Sequence, residues 1–123
     1  MAGKYDIKLT SKGLRICHWN IRSLNNDKFE QIKLILYDPE TQLDILMLTE
    51  TWLNWTHSDS EYNIPGYRLE RKDRQGKTGG GVLAYISDKL TYIREQNYES
   101  NEIELLCLKV LPYKSNLYIF YTK

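Results

Sequence analysis

The chain has 123 residues, a formal net charge of +1, 41% hydrophobic residues and 27% charged ones. That balance describes one globular domain with a real core and excludes a disordered chain. It also excludes bulk charge as the means of attracting nucleic acid or membrane, so any such partner must be met by a local patch.

Residues 1–12 are polar and lysine-bearing, with weak strand alternation at Tyr5, Ile7 and Leu9. They carry no apolar signal core, and no run in the chain approaches membrane-spanning length. The sequence therefore reads as a polar tail over 1–12 and a folded domain over 13–123, in an intracellular setting, cytoplasm or nucleus. The sequon Asn54-Trp55-Thr56 is then an idle match. Cys17 and Cys107 fall in apolar runs and read as buried free thiols. Neither Cys-x-x-Cys nor His-x-x-x-His spacing occurs, which argues against zinc.

After Gly13 the first strong strand is expected over 14–21. Its alternation puts Ile16, His18 and Asn20 on one face and Cys17, Trp19 and Ile21 on the other. Asn25-Asn26-Asp27 is a turn and cap cluster, with Asp27 and Glu30 spaced as a capping box. A helix then runs to about Tyr37 with Phe29, Ile32, Lys33 and Leu36 on one face, and Pro39 stops it. Residues 43–48 form a continuous apolar run, the pattern of a strand covered on both faces. A polar loop over 54–63 follows, closed by the turn Ile64-Pro65-Gly66. Further strands are expected over 67–71, 82–87, 91–94, 102–111 and 117–122. A basic, glycine-rich loop spans 71–81, and 112–116 turns the chain into its last strand.

The organising unit is therefore strand, helix, strand. Two parallel neighbours joined by a helix place their C-terminal ends at one sheet edge, where open α/β folds put their sites. Each of these two apolar runs ends in a polar residue, Asn20 in the first and Glu50 shortly after the second. The two are expected to meet, and an amide with a carboxylate suits a hard, oxygen-loving cation such as Mg²⁺. With one carboxylate the grip on Mg²⁺ is weak unless substrate phosphates complete the shell.

Other chemistry-bearing residues read more blandly. His18 shares a face with Ile16 and is expected to point inward, as a satisfied core histidine or one that supports a site residue rather than a catalytic base, while His57 sits solvated in the polar loop. Gly76-Lys77-Thr78 invites a phosphate-loop reading, but Arg71 stands where the first glycine is needed and a strand follows in place of a helix. A flexible connection entering a strand is the better account. Arg68, Arg71, Lys72, Arg74 and Lys77 form a local basic cluster suited to phosphate contact. Trp52 and Trp55, beside Glu50, are of the kind that stacks on a base or packs under a loop.

Taken in order, Ile16-Cys17-His18-Trp19-Asn20-Ile21-Arg22-Ser23-Leu24, then 43–53 (LDILMLTETWL) and 64–87 (IPGYRLERKDRQGKTGGGVLAYIS), the chain resembles the endonuclease/exonuclease/phosphatase superfamily. More closely it resembles the N-terminal half of the endonuclease domain of LINE-type (non-LTR) retrotransposons. The resemblance implies a partial α/β sandwich, mainly the first mixed sheet with one helix, and descent from Mg²⁺-dependent DNA-nicking phosphodiesterases. It assigns Asn20 to positioning phosphate and metal, Glu50 to holding Mg²⁺, and Tyr121 to approaching the scissile phosphate. The family's later residues, an Asp-x-Asn pair, a further aspartate and a closing histidine, have no counterpart. The expectation is a half domain lacking its second sheet, inactive or nearly so alone. An alternative from another class is a non-enzymatic module that covers its bare sheet by self-association or by capturing a complementing chain.

Overall fold

The computed structural model describes residues 13–100 and 104–111, together with the strand path of 117–122. Expectations for the 1–12 tail, for the turn at 112–116 and for the side chain of Tyr121 lie outside the described residues. Seven strands and one α-helix make up the described fold: β1 (Ile16–Asn20), α1 (Asn26–Tyr37), β2 (Ile45–Thr49), β3 (Tyr67–Lys72), β4 (Val82–Ser87), β5 (Thr91–Arg94), β6 (Leu105–Leu111) and β7 (Leu117–Thr122). They form a four-stranded sheet in the order β1-β2-β4-β3 and a three-stranded sheet in the order β5-β6-β7. This is a mixed α/β architecture.

Pairing follows the sequence pattern closely. β1 and β2 run parallel with Ile16 opposite Ile45 and Asn20 opposite Thr49, and α1 makes the crossover between them. β4 lies antiparallel to both β2 and β3, in the centre of the sheet. Every residue of β2 and of β4 is buried, as continuous apolar runs covered on both faces require. Alternation divides their side chains between two cores. Leu46, Leu48, Leu83 and Tyr85 face the helix and pack with Ile21, Leu24, Ile32 and Leu36. Ile45, Met47, Val82, Ala84 and Ile86 face the other way and pack with Leu106, Leu108 and Val110 of β6.

That second core corrects the expectation of a bare sheet. β6 brings its apolar alternation over β3 and β4, so part of a second sheet is present and the first is covered on two sides. The sheets are also tied by polar contacts at one rim. The Tyr92 hydroxyl donates to Glu70 Oε2 at 2.6 Å and Arg94 Nη1 donates to Glu70 Oε1 at 3.2 Å. Arg94 is half-buried and its other face binds Glu99 at 2.8 Å. The Glu99 contact raises the guanidinium pKa above its ordinary value, outweighing burial.

The helix begins two residues earlier than the capping-box reading places it. Asn25 is the N-cap and its side chain accepts from the Lys28 amide at 2.9 Å, leaving Asp27 in the first turn, where a carboxylate suits the helix dipole. Lys33 lies along the apolar stripe as expected, its ammonium 4.9 Å from the Phe29 ring centre and 2.8 Å from Glu30. The polar loop at 54–63 is more ordered than its composition suggests. It holds a 3₁₀ turn, Asp59–Tyr62, with Ser58 and Glu61 forming a capping box.

Among the described residues β1 is one of the two edge strands of its sheet, and this overturns two expectations. Cys17 is exposed, with only Cys107 buried, and both are free thiols. His18 is exposed rather than inward, its Nε2 lying 2.9 Å from the Thr49 hydroxyl. An edge strand lacks a neighbour on one flank, so its side chains lose the cover that a central strand enjoys.

The glycine-rich loop is a clamp where the sequence suggested a flexible connection. Gly80 and Gly81 are buried at positive φ of 65° and 96°. Their carbonyls accept from the Trp52 amide at 2.8 Å and the Thr51 amide at 3.4 Å. The Gly81 amide donates to Glu104 Oε1 at 2.9 Å, while Glu104 Oε2 binds Arg74 Nε at 2.6 Å. Burial pushes the Glu104 carboxyl up, but the Gly81 amide and the Arg74 guanidinium outweigh it and hold it below the usual carboxylate range. A Cβ on Gly81 would lie 2.4 Å from the hydroxyl of buried Thr51. Gly81→Ala is therefore expected to destabilise the fold by about 2–4 kcal/mol, combining backbone strain with a steric clash. Urea denaturation checks this, and a loss below about 0.5 kcal/mol would show the loop to be the loose connection its composition suggests.

Candidate functional site

The site grows from the way β1 and β2 end. Their parallel pairing does not stop at the last ladder residue. The Ile21 amide donates to the Thr49 carbonyl at 2.9 Å, Ser23 to Glu50 at 2.8 Å and Leu24 to Thr51 at 2.9 Å. The segment after β1 thus runs beside the segment after β2. Lys28, in the first turn of α1, fixes it from the other side, its ammonium donating to the carbonyls of Ile21 at 2.5 Å and Arg22 at 2.6 Å. Asn20 stands opposite Thr49, so across the pair it is one residue short of Glu50. The backbone pairing thus places both positions at one sheet edge, one register step apart.

The backbone here is strained. Arg22, Ser23, Glu50 and Trp52 are non-glycine residues at φ of 49°, 82°, 59° and 62°. Left-handed backbone costs on the order of 1 kcal/mol or more per residue for side-chain-bearing residues. Its persistence at several adjacent positions means that the surrounding bonds over-determine it. Each of Ser23, Glu50 and Trp52 makes a backbone hydrogen bond to a neighbouring segment.

Asn20 is exposed and Glu50 is partly buried. Glu50 Oε1 accepts a hydrogen bond from the Trp52 indole Nε1 at 2.9 Å. Trp52 then turns toward the glycine loop, where its indole sits against Gly79. Beyond it a cleft of about 430 Å³ is lined by Trp52, Leu53, Asn54, Lys77, Thr78 and Gly79. A second, of about 350 Å³, lies between Trp55 and the loop residues Asp73 to Thr78. Trp55 is exposed at the tip of a turn held by several bonds. Asn54 Oδ1 accepts from the Thr56 amide at 2.9 Å, and the Asn54 amide donates to His57 Nδ1 at 3.1 Å.

A carboxylate and an amide oxygen are donor types that a hard cation takes. Among the described residues no group of three or more His, Cys, Asp or Glu gathers in one place. Glu50 and Asn20 alone would fill only part of a cation's shell, and further oxygens would have to supply the remainder. His18 lies one alternation step before Asn20 on the same face and contacts Thr49, Asn20's partner. The sequence reading takes it as an inward-pointing histidine, in the core or supporting the site from behind, and its exposure corrects the inward direction. The signal that would have found it is the edge position of β1, which alternation alone does not reveal.

The basic cluster is largely engaged within the fold. Arg71 binds Asp73 at 2.8 Å and Asp59 at 3.2 Å, and Arg74 binds Glu104 at 2.6 Å. Arg68 lies 3.6 Å from Asp88 with its guanidinium over the Tyr92 ring, and the Lys72 ammonium donates to the Ser100 carbonyl. Lys77 is exposed and lines both clefts. Tyr121 lies in β7, paired with Leu106.

Comparison with known proteins agrees with this architecture. The sequence pattern described as the Endonuclease/Exonuclease/phosphatase family matches residues 17–122. Among curated proteins no match to the sequence is found. In fold the chain is similar to the crystal structure of the AP endonuclease LMAP from Leishmania major, with a TM-score of 0.65 at 17% identity. The alignment covers 89% of this chain and 40% of that one, so the chain spans about two fifths of the length of this structural relative. With β1 and β2 parallel, their ends interlocked, and the family pattern running through nearly every described element, this chain belongs to the endonuclease/exonuclease/phosphatase family.

Proposed function

We propose that this chain carries the metal-and-phosphate portion of a Mg²⁺-dependent DNA-nicking phosphodiesterase site of the retrotransposon endonuclease type, and does not complete the reaction alone. The observation that supports this most is the interlocked edge that sets Asn20 beside Glu50. In this reading Glu50 holds Mg²⁺, Asn20 orients the phosphate, and Tyr121 approaches the scissile group. When bound, the cation neutralises charge on the phosphate. The chain's own residues bind and orient. The Asn20 amide is a neutral donor for a phosphate oxygen, and the exposed Lys77 ammonium lies along the path of a strand through the clefts. Arg68, Arg71, Lys72 and Arg74 also count as DNA-contacting positions here, though the carboxylate partners of the three arginines offset much of their charge.

The reading of inactivity rests on the proton bookkeeping. Hydrolysis needs a base for water and help for the leaving oxygen. His57 Nδ1 accepts within its own turn, and His18 faces Thr49. Both rings thus have a nitrogen engaged within the fold. A second reading, self-association or docking of a complementing chain, draws support from β1, an edge strand with Ile16 exposed. Sedimentation of the purified chain checks it: concentration-dependent association is expected, and a monomer at high concentration contradicts it.

Plasmid nicking tests the main proposal. The folded chain with Mg²⁺ is expected to bind DNA more tightly than with EDTA and to leave supercoiled plasmid intact, and Glu50→Ala is expected to remove the Mg²⁺-dependent increment of binding. Nicking that requires both Mg²⁺ and Glu50 would contradict the inactive reading and show that the portion suffices.

A further inference from the structure

Trp52 is a residue that the site description leaves without a function. It is large, apolar and half-exposed, and yet it adopts a left-handed backbone, φ 62°. A tryptophan that only covered the sheet edge would not need that conformation. The strain is sustained from two directions. Its amide donates to the Gly80 carbonyl at 2.8 Å, and its indole Nε1 donates to Glu50 Oε1 at 2.9 Å. Between them, Thr51 is buried with its hydroxyl against Gly81, so the backbone cannot swing the indole away without disturbing the glycine clamp.

Glu50 is itself left-handed, φ 59°, two residues earlier. Its carbonyl is committed to the Ser23 amide at 2.8 Å. A glutamate side chain retains several rotatable bonds even with its backbone fixed, and a carboxylate free to sample them presents its oxygens to a cation only part of the time. An N–H on Oε1 selects one orientation. Partners that orient a metal-binding carboxylate in this way typically contribute about 10- to 100-fold to metal affinity.

We propose that Trp52 is a positioning residue for the Glu50 carboxylate, and that it fixes this carboxylate relative to the Gly79–Gly81 segment through which β4 begins. It touches neither cation nor phosphate and acts through Glu50. The inference rests on Glu50 being the metal carboxylate, and it adds that the geometry of that carboxylate is set by the indole N–H. It also gives the glycine clamp a purpose. The clamp holds the amide of the residue whose side chain aims the ligand.

The test is Mg²⁺ titration of the full chain, followed by ¹H–¹⁵N NMR at the Glu50 backbone amide and the Trp52 indole N–H. In the unsubstituted protein both resonances are expected to move together with one dissociation constant, and Glu50→Gln is expected to abolish that shared response. Trp52→Phe keeps an aromatic ring and removes the donor. It is expected to leave the rest of the amide spectrum in place while weakening Mg²⁺ binding at Glu50 about tenfold or more. Unchanged affinity in a folded Trp52→Phe overturns the positioning role while leaving the metal reading intact. No Mg²⁺ response at Glu50 in the unsubstituted protein overturns the metal reading and the inference with it. If Trp52→Phe does not fold, Glu50→Ala decides. Loss of the acceptor is expected to shift the Trp52 indole resonance and speed its exchange with solvent, and an unmoved, equally protected indole overturns the proposal.

Discussion

Three backbone hydrogen bonds, from the Ile21, Ser23 and Leu24 amides to the Thr49, Glu50 and Thr51 carbonyls, carry the parallel pairing of β1 and β2 beyond the strands themselves. Everything at the candidate site depends on them. Parallel strands need a long crossover, and α1 supplies it while covering Leu46 and Leu48 with Ile32 and Leu36. The same helix returns Lys28 to the carbonyls of Ile21 and Arg22, so the element that makes the crossover also closes the loop it leaves behind. The backbone positions of Asn20 and Glu50 are then one register step apart.

Strain and its compensation occupy the same few residues. Left-handed backbone at Arg22, Ser23, Glu50 and Trp52 is unfavourable in isolation. It is sustained because the post-β1 segment binds one side of the Glu50 region and the glycine clamp binds the other. The clamp is in turn held by Glu104, whose carboxylate spans the Gly81 amide and Arg74. A residue just before β6 thus steadies the far wall of a site built on the first sheet. The second sheet therefore supports the site as well as covering the core.

Much of this was legible in the residues. The continuous apolar run ending at Leu48 and the alternation ending at Asn20 specify a covered central strand and its neighbour, and a helical period between them specifies parallel pairing. From those facts the placement of positions 20 and 50 at one sheet edge follows. The capping pair Ser58 and Glu61 was also present in the sequence, inside a loop whose polarity masked it. Other features were not local and could not be read. That Arg71 meets Asp59, or Arg74 meets Glu104, depends on contacts across 12 and 30 residues. The exposure of Cys17 and His18 depends on which strand becomes the edge, and hydrophobic alternation is silent on that. The strands of the second sheet were recognisable individually, but their packing over β3 and β4 is a long-range choice. The glycines were read as flexibility when their job is close approach, because a glycine run looks the same in both cases.

The central claim is that the ends of β1 and β2 form one cation-binding edge. Affinity cleavage tests it most directly. Fe²⁺ substituted for Mg²⁺, with ascorbate and peroxide, generates hydroxyl radicals that cut the polypeptide where the metal sits. The account predicts two clusters of cuts in the folded chain, around residues 20–23 and around 50–52, both suppressed by excess Mg²⁺. Cuts confined to one of these segments, or centred elsewhere in the chain, would contradict it.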